Sequence, residues 1–337
     1  MGSPLNLDRD WSLPAGRQTA GVPDRVTIAD VSIACGVTKG TISRILNRKT
    51  DFSCSSEVRA KVERIAGELG YRPDSLARAL TTKRTQVVAI LGLWPWTLEA
   101  VTIYHPLVKA AVMAVQAGGY HASANFPHPQ HGNYPLAPFR ADGALILQPV
   151  FLKDLDEIEN GGIPYIAMDG VCGRNGTQVL LDDESGGRAA AAHLRARGRR
   201  TLAWFSQTDF GHHSTPDRLA GVRAVAPACW TGDTRDPAAW LAGARAAGVD
   251  GVVCYCAGEA VTLRRAALAA GLSLPGDLGL IAFNDDSCAR DHSLSVLAVP
   301  ARELGEISAD LLLRRMARKT VPKLTVLNER LIERGSA

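Results

Sequence analysis

A stretch near the start of the chain holds polar and basic residues at helical spacing. They recur one and four positions apart, so a single helix would expose them together: Lys39, Gly40, Ser43 and Arg44. The apolar residues between them would form the opposite, buried face: Ile42, Ile45 and Leu46. Ammonium, guanidinium and hydroxyl groups on one exposed face favour ion pairs and hydrogen bonds with a polyanion.

Two flanking helices are predicted to hold this one in place. Upstream, apolar residues from Ile28 to Cys35 recur at helical spacing, with Thr27 as the N-cap and Gly36 as the stop. Thr38 is placed to cap the second helix. Downstream, Ser55 caps a third helix that ends at Gly70, with a buried stripe predicted at Val58, Val62, Ile65, Ala66 and Leu69. Two short helices joined by a tight turn are typical of a helix-turn-helix, whose second helix enters the major groove of DNA.

The distribution of charge agrees with this layout but does not decide it. Residues 1–84 carry 14 Lys and Arg against 9 Asp and Glu, whereas the whole chain carries 38 against 34. A basic leading segment favours a polyanionic partner for that part of the chain. A solvated basic face would give the same balance, so charge alone leaves both interpretations open.

The remaining composition excludes several classes of protein. The seven cysteines form no C-x-x-C pair, and we expect reduced core residues in a reducing compartment, the cytoplasm. No apolar run reaches the length of a membrane span, and we expect no membrane partner. Residues 1–22 contain no apolar h-region of a secretory signal, so residues 1–25 are expected to form a disordered tail.

After Thr82 the pattern changes to short apolar runs that alternate with helical stretches. Strands are predicted at 87–93, 120–125, 143–148, 164–169, 178–182, 202–206, 251–255, 278–283 and 324–331. Helices are predicted at 103–117, 184–197, 258–270 and 301–318. This alternation predicts an α/β body with parallel sheets covered on both faces.

Two long patterns make a family resemblance specific. "TIADVSIACGVTKGTISRILN", followed by "SSEVRAKVERIAGELGYRPDSLARAL", is similar to the headpiece and hinge of the lac repressor (LacI/GalR) family. The body resembles that family's periplasmic-binding-protein-like effector domain through "DDESGGRAAAAHLRARGRR", "DRLAGV", "LGLIAFND" and "PARELGEISADLLLRRM". The resemblance implies an all-α helix-turn-helix headpiece at 26–73, a hinge helix and linker at 74–84, and a two-lobed α/β effector and dimerisation domain at 85–337.

The resemblance also assigns residues to DNA. Lys39 and Gly40 fall where the family reads variable bases, and Arg44 falls on a base- or phosphate-contacting arginine. Because Gly40 has no side chain, Lys39 is expected to carry more of the direct readout. Leu80 matches the leucine wedged into the minor groove, and Ala77 matches the small residue at which two hinge helices pack. The remaining DNA-contacting positions are Thr38, Thr41, Ser43 and Asn47.

In the body, the resemblance implies two lobes with a ligand cleft between them. The first lobe would comprise 85–181 with 301–318, and the second 182–296 with 319–331. The expected effector contacts are Trp94, Trp96, Gln148, Asp169, Arg218 and Asn284. An arginine fork and a carboxylate suit a sugar-like effector. Arg218 and Asp169 would equally suit ordinary surface ion pairs, and Trp94 and Trp96 would equally suit the core or a dimer interface. Cys256, Ala257 and Val299 replace polar cleft residues of the family, which favours an effector that is unusual, bulkier and less polar, or absent.

Other interpretations are weaker. His212-His213 lacks a third ligand at metal spacing along the chain, so we expect the rim of the cleft there, with neither a metal nor a cofactor. An enzyme is disfavoured because G-x-S-x-G, P-loop and H-E-x-x-H motifs are missing from the sequence. A sugar-binding transport receptor would need export and has no use for the headpiece. The sequence therefore predicts a homodimeric, sequence-specific DNA-binding regulator, a repressor whose operator affinity responds to a small polar effector.

Overall fold

The chain divides into two compact units, Met1–Lys83 and Arg84–Ala337. The computed structural model describes residues 26–47, 52–72, 79, 84–92, 103–124, 141–147, 152–170, 172–207 and 212–337. Within these ranges, no helix combines the length and the hydropathy needed to cross a bilayer.

The described residues of the first unit include the helices α1 (Ile28–Cys35), α2 (Lys39–Leu46) and α3 (Ser56–Glu68). The three predicted N-caps are confirmed, since the side chains of Thr27, Thr38 and Ser55 each accept a hydrogen bond from a backbone N–H in the first turn. Asp30 completes a capping box with Thr27. Gly36 ends α1 with φ of 65°, a left-handed conformation that glycine adopts without steric cost.

The core of this unit joins one face of each helix. Its buried members are Val31, Cys35, Ile42, Ile45, Val62 and Ala66. Of the predicted apolar stripe of α2, Ile42 and Ile45 are therefore buried against α1 and α3, and Leu46 is partly buried there. Leu69 was expected in the stripe of α3 but is 39% exposed, because the helix ends at Glu68 and Tyr71 packs against the core after the turn at Gly70.

The second unit alternates strands and helices along the chain. The strands are β1 (Val87–Leu91), β2 (His121–Ala124), β3 (Gly143–Leu147), β4 (Tyr165–Met168), β5 (Thr177–Leu181), β6 (Leu202–Phe205), β7 (Trp230–Thr231), β8 (Gly251–Cys254), β9 (Gly279–Phe283), β10 (Ser295–Ala298), β11 (Leu324–Leu327) and β12 (Arg330–Ile332). The helices are α4 (Tyr104–Ala117), α5 (Leu152–Asn160), α6 (Asp183–Ala196), α7 (Ser214–Val225), α8 (Pro237–Ala246), α9 (Ala257–Ala269), α10 (Ser287–Asp291) and α11 (Ala301–Met316).

These strands form two six-stranded sheets, one in each lobe. The first has the order β11-β5-β4-β3-β1-β2 and is parallel throughout. The second has the order β12-β10-β9-β8-β6-β7 and is parallel except for β12, which runs antiparallel to β10. Strands β3, β4, β8 and β9 are buried along their whole length, as expected when helices cover both faces of a sheet. The predicted α/β architecture is confirmed.

The end of the chain differs from the prediction. Residues 324–331 were expected to form one strand, with 319–331 in the second lobe, but two strands form here and belong to different sheets. β11 pairs with β5 in the first lobe, and β12 pairs with β10 in the second. The chain crosses between the lobes at Asn328-Glu329, and the buried Glu329 side chain interrupts the apolar pattern at this crossing.

Candidate functional site

Helix α2 presents its polar residues to solvent. Lys39, Gly40 and Arg44 are exposed, whereas Ile42 and Ile45 on the opposite face are fully buried. A Cβ added at Gly40 would find nothing within 4 Å, so the space beside the helix is open there. The exposed face of α2, which we call the recognition face, therefore offers two cations with an open gap beside them.

The smaller polar residues of α2 fix the ends of the helix. The Thr38 hydroxyl oxygen accepts from the Thr41 backbone N–H at 3.3 Å and lies 3.0 Å from the Thr41 hydroxyl. The Asn47 side-chain amide donates to the Ser43 carbonyl oxygen at 2.7 Å. These bonds hold the predicted hydroxyl and amide groups at the two ends of the recognition face.

In the second unit, the predicted ligand residues Asp169 and Asn284 occupy equivalent places in the two lobes. Asp169 directly follows β4, and Asn284 directly follows β9, so each lies at the carboxyl end of a central parallel strand. Both are buried, and both adopt left-handed backbone conformations, with φ of 52° and 74°. Such conformations are costly outside glycine and concentrate at ligand sites. Among the described residues, Asp169 Oδ1 and Asn284 Oδ1 have no hydrogen-bond partner.

Arg218 lies in α7 and is 3% exposed. Its Nε donates to Asp183 Oδ1 at 2.7 Å, Nη1 to the Tyr255 carbonyl oxygen at 3.2 Å, and Nη2 to Glu329 Oε1 at 3.1 Å. Its guanidinium also lies 4.0 Å from the centre of the Phe283 ring. The guanidinium is thus engaged by groups of the protein itself. We call Arg218 and the carboxyl groups of Asp169, Asp183 and Glu329 the acid–arginine cluster.

Glycines allow the helices around this cluster to approach closely. A Cβ on Gly187 of α6 would lie 2.0 Å from the Arg218 carbonyl oxygen, and a Cβ on Gly221 of α7 would lie 1.9 Å from the Glu184 carbonyl oxygen. A Cβ on Gly186 would collide with the Glu329 carboxylate. The Gly186-Gly187 pair therefore serves helix packing, which brings Asp183 and Arg218 into contact.

Burial governs the protonation of the cluster. It raises the pKa of Glu329 to about 8 and raises the pKa of Asp183, while Arg218 opposes both shifts and the other carboxylates add to them. Burial alone would lower the pKa of Arg218, but Asp183 and Glu329 raise it overall, so the guanidinium stays charged. The cluster thus combines three buried carboxyl groups with one permanent cation.

His212 and His213 border the cluster at the start of α7. The Ser214 backbone N–H donates to His212 Nδ1 at 3.3 Å, so the His212 Nε2–H donates to the Asp169 carbonyl oxygen at 3.0 Å. Burial lowers the pKa of His212, although the Asp169 carboxylate opposes this. His213 Nε2 lies 3.7 Å from Asp169 Oδ1 and 3.7 Å from Asp183 Oδ2. Ring nitrogens of both histidines and a carboxylate oxygen of Asp169 lie within 4.8 Å of one another.

A pocket of about 450 Å³ opens between the lobes next to Asn284. Its lining combines residues from both lobes, including Ile103 and His105 of the first and Asp285 and Arg290 of the second. Val299, where the family has a polar residue, is also part of this lining. Of the other two departures, Ala257 is buried in the apolar core and Cys256 precedes α9 without capping it through its side chain.

Comparisons with known proteins agree with both parts of this description. Residues 27–74 match the family model "Bacterial regulatory proteins, lacI family", and residues 191–337 match that of the periplasmic binding protein-like domain. Both matches agree with the family resemblance of the two long sequence patterns.

Two relatives that this chain matches over nearly their full length are regulatory proteins by name. Catabolite control protein A of Staphylococcus xylosus is 24% identical over 91% of this chain and 98% of its own length. The HTH-type transcriptional regulator CelR of Thermobifida fusca is 27% identical over 93% of this chain and 98% of its own length.

Solved structures share the fold over nearly the whole chain. The lac repressor dimer bound to operator and the anti-inducer ONPF aligns with a TM-score of 0.76 at 20% identity, covering 93% of this chain and 99% of that one. A CelR–cellobiose complex aligns with a TM-score of 0.63 at 23% identity, covering 93% and 100%.

The structure places the site residues predicted from the sequence in different ways. Asp169 is connected to Arg218 through His213 and Asp183, and Asn284 follows Phe283, whose ring lies beneath the Arg218 guanidinium. The remaining predicted contacts lie outside the described residues: Ala77, Leu80, Trp94, Trp96 and Gln148. The predicted N-terminal tail, 1–25, lies outside them as well.

Sequence reasoning missed Asp183, Glu329 and the carbonyl of Tyr255 as partners of Arg218. A usable signal existed for Asp183, since it follows a predicted strand and precedes the Gly186-Gly187 pair that permits close packing. Glu329 had no such signal, because its sequence neighbourhood indicates a continuous strand. The third group beside His212-His213 was also missed, because Asp169 is 43 positions away in the sequence.

Proposed function

We propose that this chain is a sequence-specific DNA-binding transcription repressor whose operator affinity is set by a small polar effector. The observation that carries the proposal is the recognition face of α2, where Lys39 and Arg44 stand exposed above a fully buried Ile42 and Ile45. A helix of this kind, held by two others, can enter the major groove with its first residues toward the bases.

The residues of the recognition face divide into two roles. Lys39 donates to base edges, and Arg44 donates to a base or a phosphate. Gly40 has no side chain to contact a base, so recognition at its position depends on the shape of the DNA. Thr38, Thr41, Ser43 and Asn47 hold the phosphate backbone. In the hinge, Ala77 lets two hinge helices pack closely, and Leu80 wedges into the minor groove.

The chain acts as a homodimer on a near-palindromic operator, because one helix of eight residues provides little contact area by itself. The lac repressor, which shares the fold, is a dimer on its operator. In this proposal, residues 26–73 form the headpiece, residues 74–84 the hinge and linker, and residues 85–337 the effector domain. The protein works in the cytoplasm, where its DNA is, and by binding alone rather than by catalysis.

Asp169 and Asn284 support an effector site at the strand ends of the two lobes. Their unpartnered side-chain oxygens are buried acceptors that ligand hydroxyl groups can satisfy. Arg218, already bound to Asp183 and Glu329, supports the site from beneath and has donors left for a ligand. A sugar-like molecule fits these acceptors, and CelR has been solved with cellobiose. Trp94, Trp96 and Gln148 complete the proposed contacts.

Selection of binding sites from random DNA tests the DNA-reading proposal. Wild-type protein is expected to enrich a near-palindromic site, and Lys39→Ala is expected to change the preferred base at the position that Lys39 contacts. Lys61→Ala, which removes an exposed lysine of α3, should leave the site unchanged. If Lys39→Ala and Lys61→Ala give the same sequence preference as wild type, Lys39 takes no part in direct readout.

A thermal-shift screen of sugars, sugar acids and sugar phosphates, carried out in EDTA, tests the effector proposal. A ligand that stabilises wild type should lose most of its effect in Asn284→Ala and in Arg218→Lys. A ligand whose stabilisation survives both changes would place the effector site elsewhere.

A further inference from the structure

Arg44, the cation in the last turn of the recognition face, lies over an aromatic ring. Its guanidinium carbon Cζ is 5.4 Å from the centre of the Phe52 ring. This distance is within the range of about 6 Å in which the negative face of an aromatic ring attracts a cation. The ring offers no oxygen or nitrogen acceptor, so the exposed guanidinium keeps N–H donors for a base edge or a phosphate.

Phe52 is itself held by the core of the headpiece. It belongs to a segment before α3 in which exposure alternates: Phe52 and Cys54 are partly buried against the core, whereas Ser53 and Ser55 are exposed. The Ser55 hydroxyl oxygen accepts from the Val58 backbone N–H at 3.2 Å, which joins the end of this segment to α3. The ring is therefore attached to the same core that buries the opposite face of α2.

A ring in this place lowers the entropy that Arg44 loses when it binds a partner. An exposed arginine has a long side chain with many rotamers, and a fixed contact with DNA selects a few of them. A contact that already restricts the side chain in the free protein reduces this loss on binding. The Phe52 ring thus affects DNA affinity through the guanidinium, without a hydrogen bond of its own to DNA.

The other cation of the recognition face provides an internal comparison. Lys39 begins α2, whereas Arg44 lies in its last turn. Five residues separate them, which corresponds to about 7.5 Å along the helix axis. A substitution of Phe52 should therefore act through Arg44 and leave the contribution of Lys39 as it is.

We propose that Phe52 is a positioning residue for DNA recognition, which orders the Arg44 guanidinium before DNA arrives. The inference rests on the proposed function, because it requires Arg44 to contact DNA. It adds to the recognition face a residue that lies outside α2 and carries no hydrogen-bonding side chain. Operator affinity then depends on an aromatic side chain at position 52 as well as on the polar residues of the helix.

A double-mutant cycle on the full chain tests this role. Fluorescence anisotropy measures the affinity of wild type, Phe52→Leu, Arg44→Ala and the double variant for the DNA site that wild type selects. Phe52→Leu keeps an apolar side chain on the core but removes the ring, and it should weaken binding about two- to fivefold. In the Arg44→Ala background the same substitution should leave the affinity unchanged, because no guanidinium remains to be positioned. In the Lys39→Ala background it should cost the same factor as in wild type.

Two further substitutions separate the ring from the volume it fills. Phe52→Tyr keeps a ring and should recover the affinity that Phe52→Leu loses, whereas Phe52→Met fills the space without a ring and should not. Circular dichroism and urea unfolding establish that each variant is folded.

The proposal is overturned if Phe52→Leu weakens binding by the same factor with and without Arg44, which would indicate a structural role or a direct contact of the ring with DNA. It is also overturned if Phe52→Leu or Arg44→Ala leaves the affinity unchanged, or if Phe52→Met binds as well as Phe52→Tyr. Failure of wild type to select any DNA site would instead overturn the proposed function, and this inference with it.

Discussion

The recognition face of α2 and the acid–arginine cluster differ in how far apart their residues lie in the sequence and in whether their charged side chains are exposed. The recognition face takes its residues from ten consecutive positions, Thr38 to Asn47, and exposes its charged side chains to solvent. The cluster joins Arg218 to Asp183 across 35 positions and to Glu329 across 111, and buries all three. Charges on the recognition face contribute little to folding and are available to a partner, whereas those of the cluster compensate for one another's burial.

The difference has a physical consequence for substitution. An exposed cation exchanges its water shell for a phosphate or a base only when the partner arrives, so its removal affects binding. A buried cation has already lost its water, and its removal leaves the opposing carboxylates without compensation. The same type of residue, arginine, is thus expected to act on affinity at position 44 and on stability at position 218.

The largest expected effect is that of Arg218→Ala on stability. It leaves Asp183 and Glu329 buried without the guanidinium, which should lower the free energy of unfolding by about 3–5 kcal/mol. Urea unfolding followed by tryptophan fluorescence measures this change. Arg302→Ala is the control, because Arg302 and Glu306 form an exposed pair whose loss should cost less than about 1 kcal/mol. Equal losses in the two variants would mean that the cluster is not a stabilising element.

The next effect is that of Arg44→Ala on DNA affinity. The variant should bind the selected site more weakly by about 1–3 kcal/mol, because one charge-assisted contact is lost. Fluorescence anisotropy at several salt concentrations measures the affinity for DNA. The free energy of unfolding of Arg44→Ala should stay close to that of wild type. If the affinity is unchanged, Arg44 serves only to stack over the Phe52 ring, which lies 5.4 Å away.

The same contrast explains how far sequence reasoning reached. The caps at Thr27, Thr38 and Ser55 and the stripe at Ile42 and Ile45 were predicted correctly, because each depends on neighbours within a few positions. The α/β architecture was predicted because its buried strands are short, continuous apolar runs.

Contacts between distant segments were beyond such reasoning. Asp169 was found through the family resemblance and its place after an apolar run, but neither feature indicates that His212 orients it or that His213 faces it. The burial of Glu329 depends on the crossing from β11 to β12, which the continuous pattern 324–331 conceals. Local periodicity identifies elements, while the partners of buried charges depend on where those elements meet.

A smaller effect concerns the pH dependence of stability. Burial raises the pKa of Glu329 to about 8, above its ordinary value in the unfolded chain. The folded protein therefore holds a proton that the unfolded chain releases, and the stability of wild type should fall as the pH rises from about 5 to 8 relative to Glu329→Gln. The amide keeps an acceptor for Arg218 and has no proton to lose in this interval.

Urea unfolding of both proteins across this pH range measures the difference. Burial also lowers the pKa of His212, which makes stability fall toward acidic pH, but that contribution is common to both proteins and cancels in the comparison. A constant difference between pH 5 and 8 would mean that Glu329 ionises in the folded protein at its ordinary pKa.

The smallest expected effect is the change in stability when a glycine is replaced by alanine, compared at one position in each region. Gly40→Ala adds a methyl group where nothing lies within 4 Å, and alanine loses less backbone entropy than glycine in a helix, so the headpiece should gain up to about 1 kcal/mol. Gly187→Ala places the same methyl group 2.0 Å from the Arg218 carbonyl oxygen, so α6 and α7 must separate and stability should fall. Thermal unfolding of both variants measures the two signs. Destabilisation by Gly40→Ala would show that the recognition face is packed rather than open, and the contrast between the two regions would fail there.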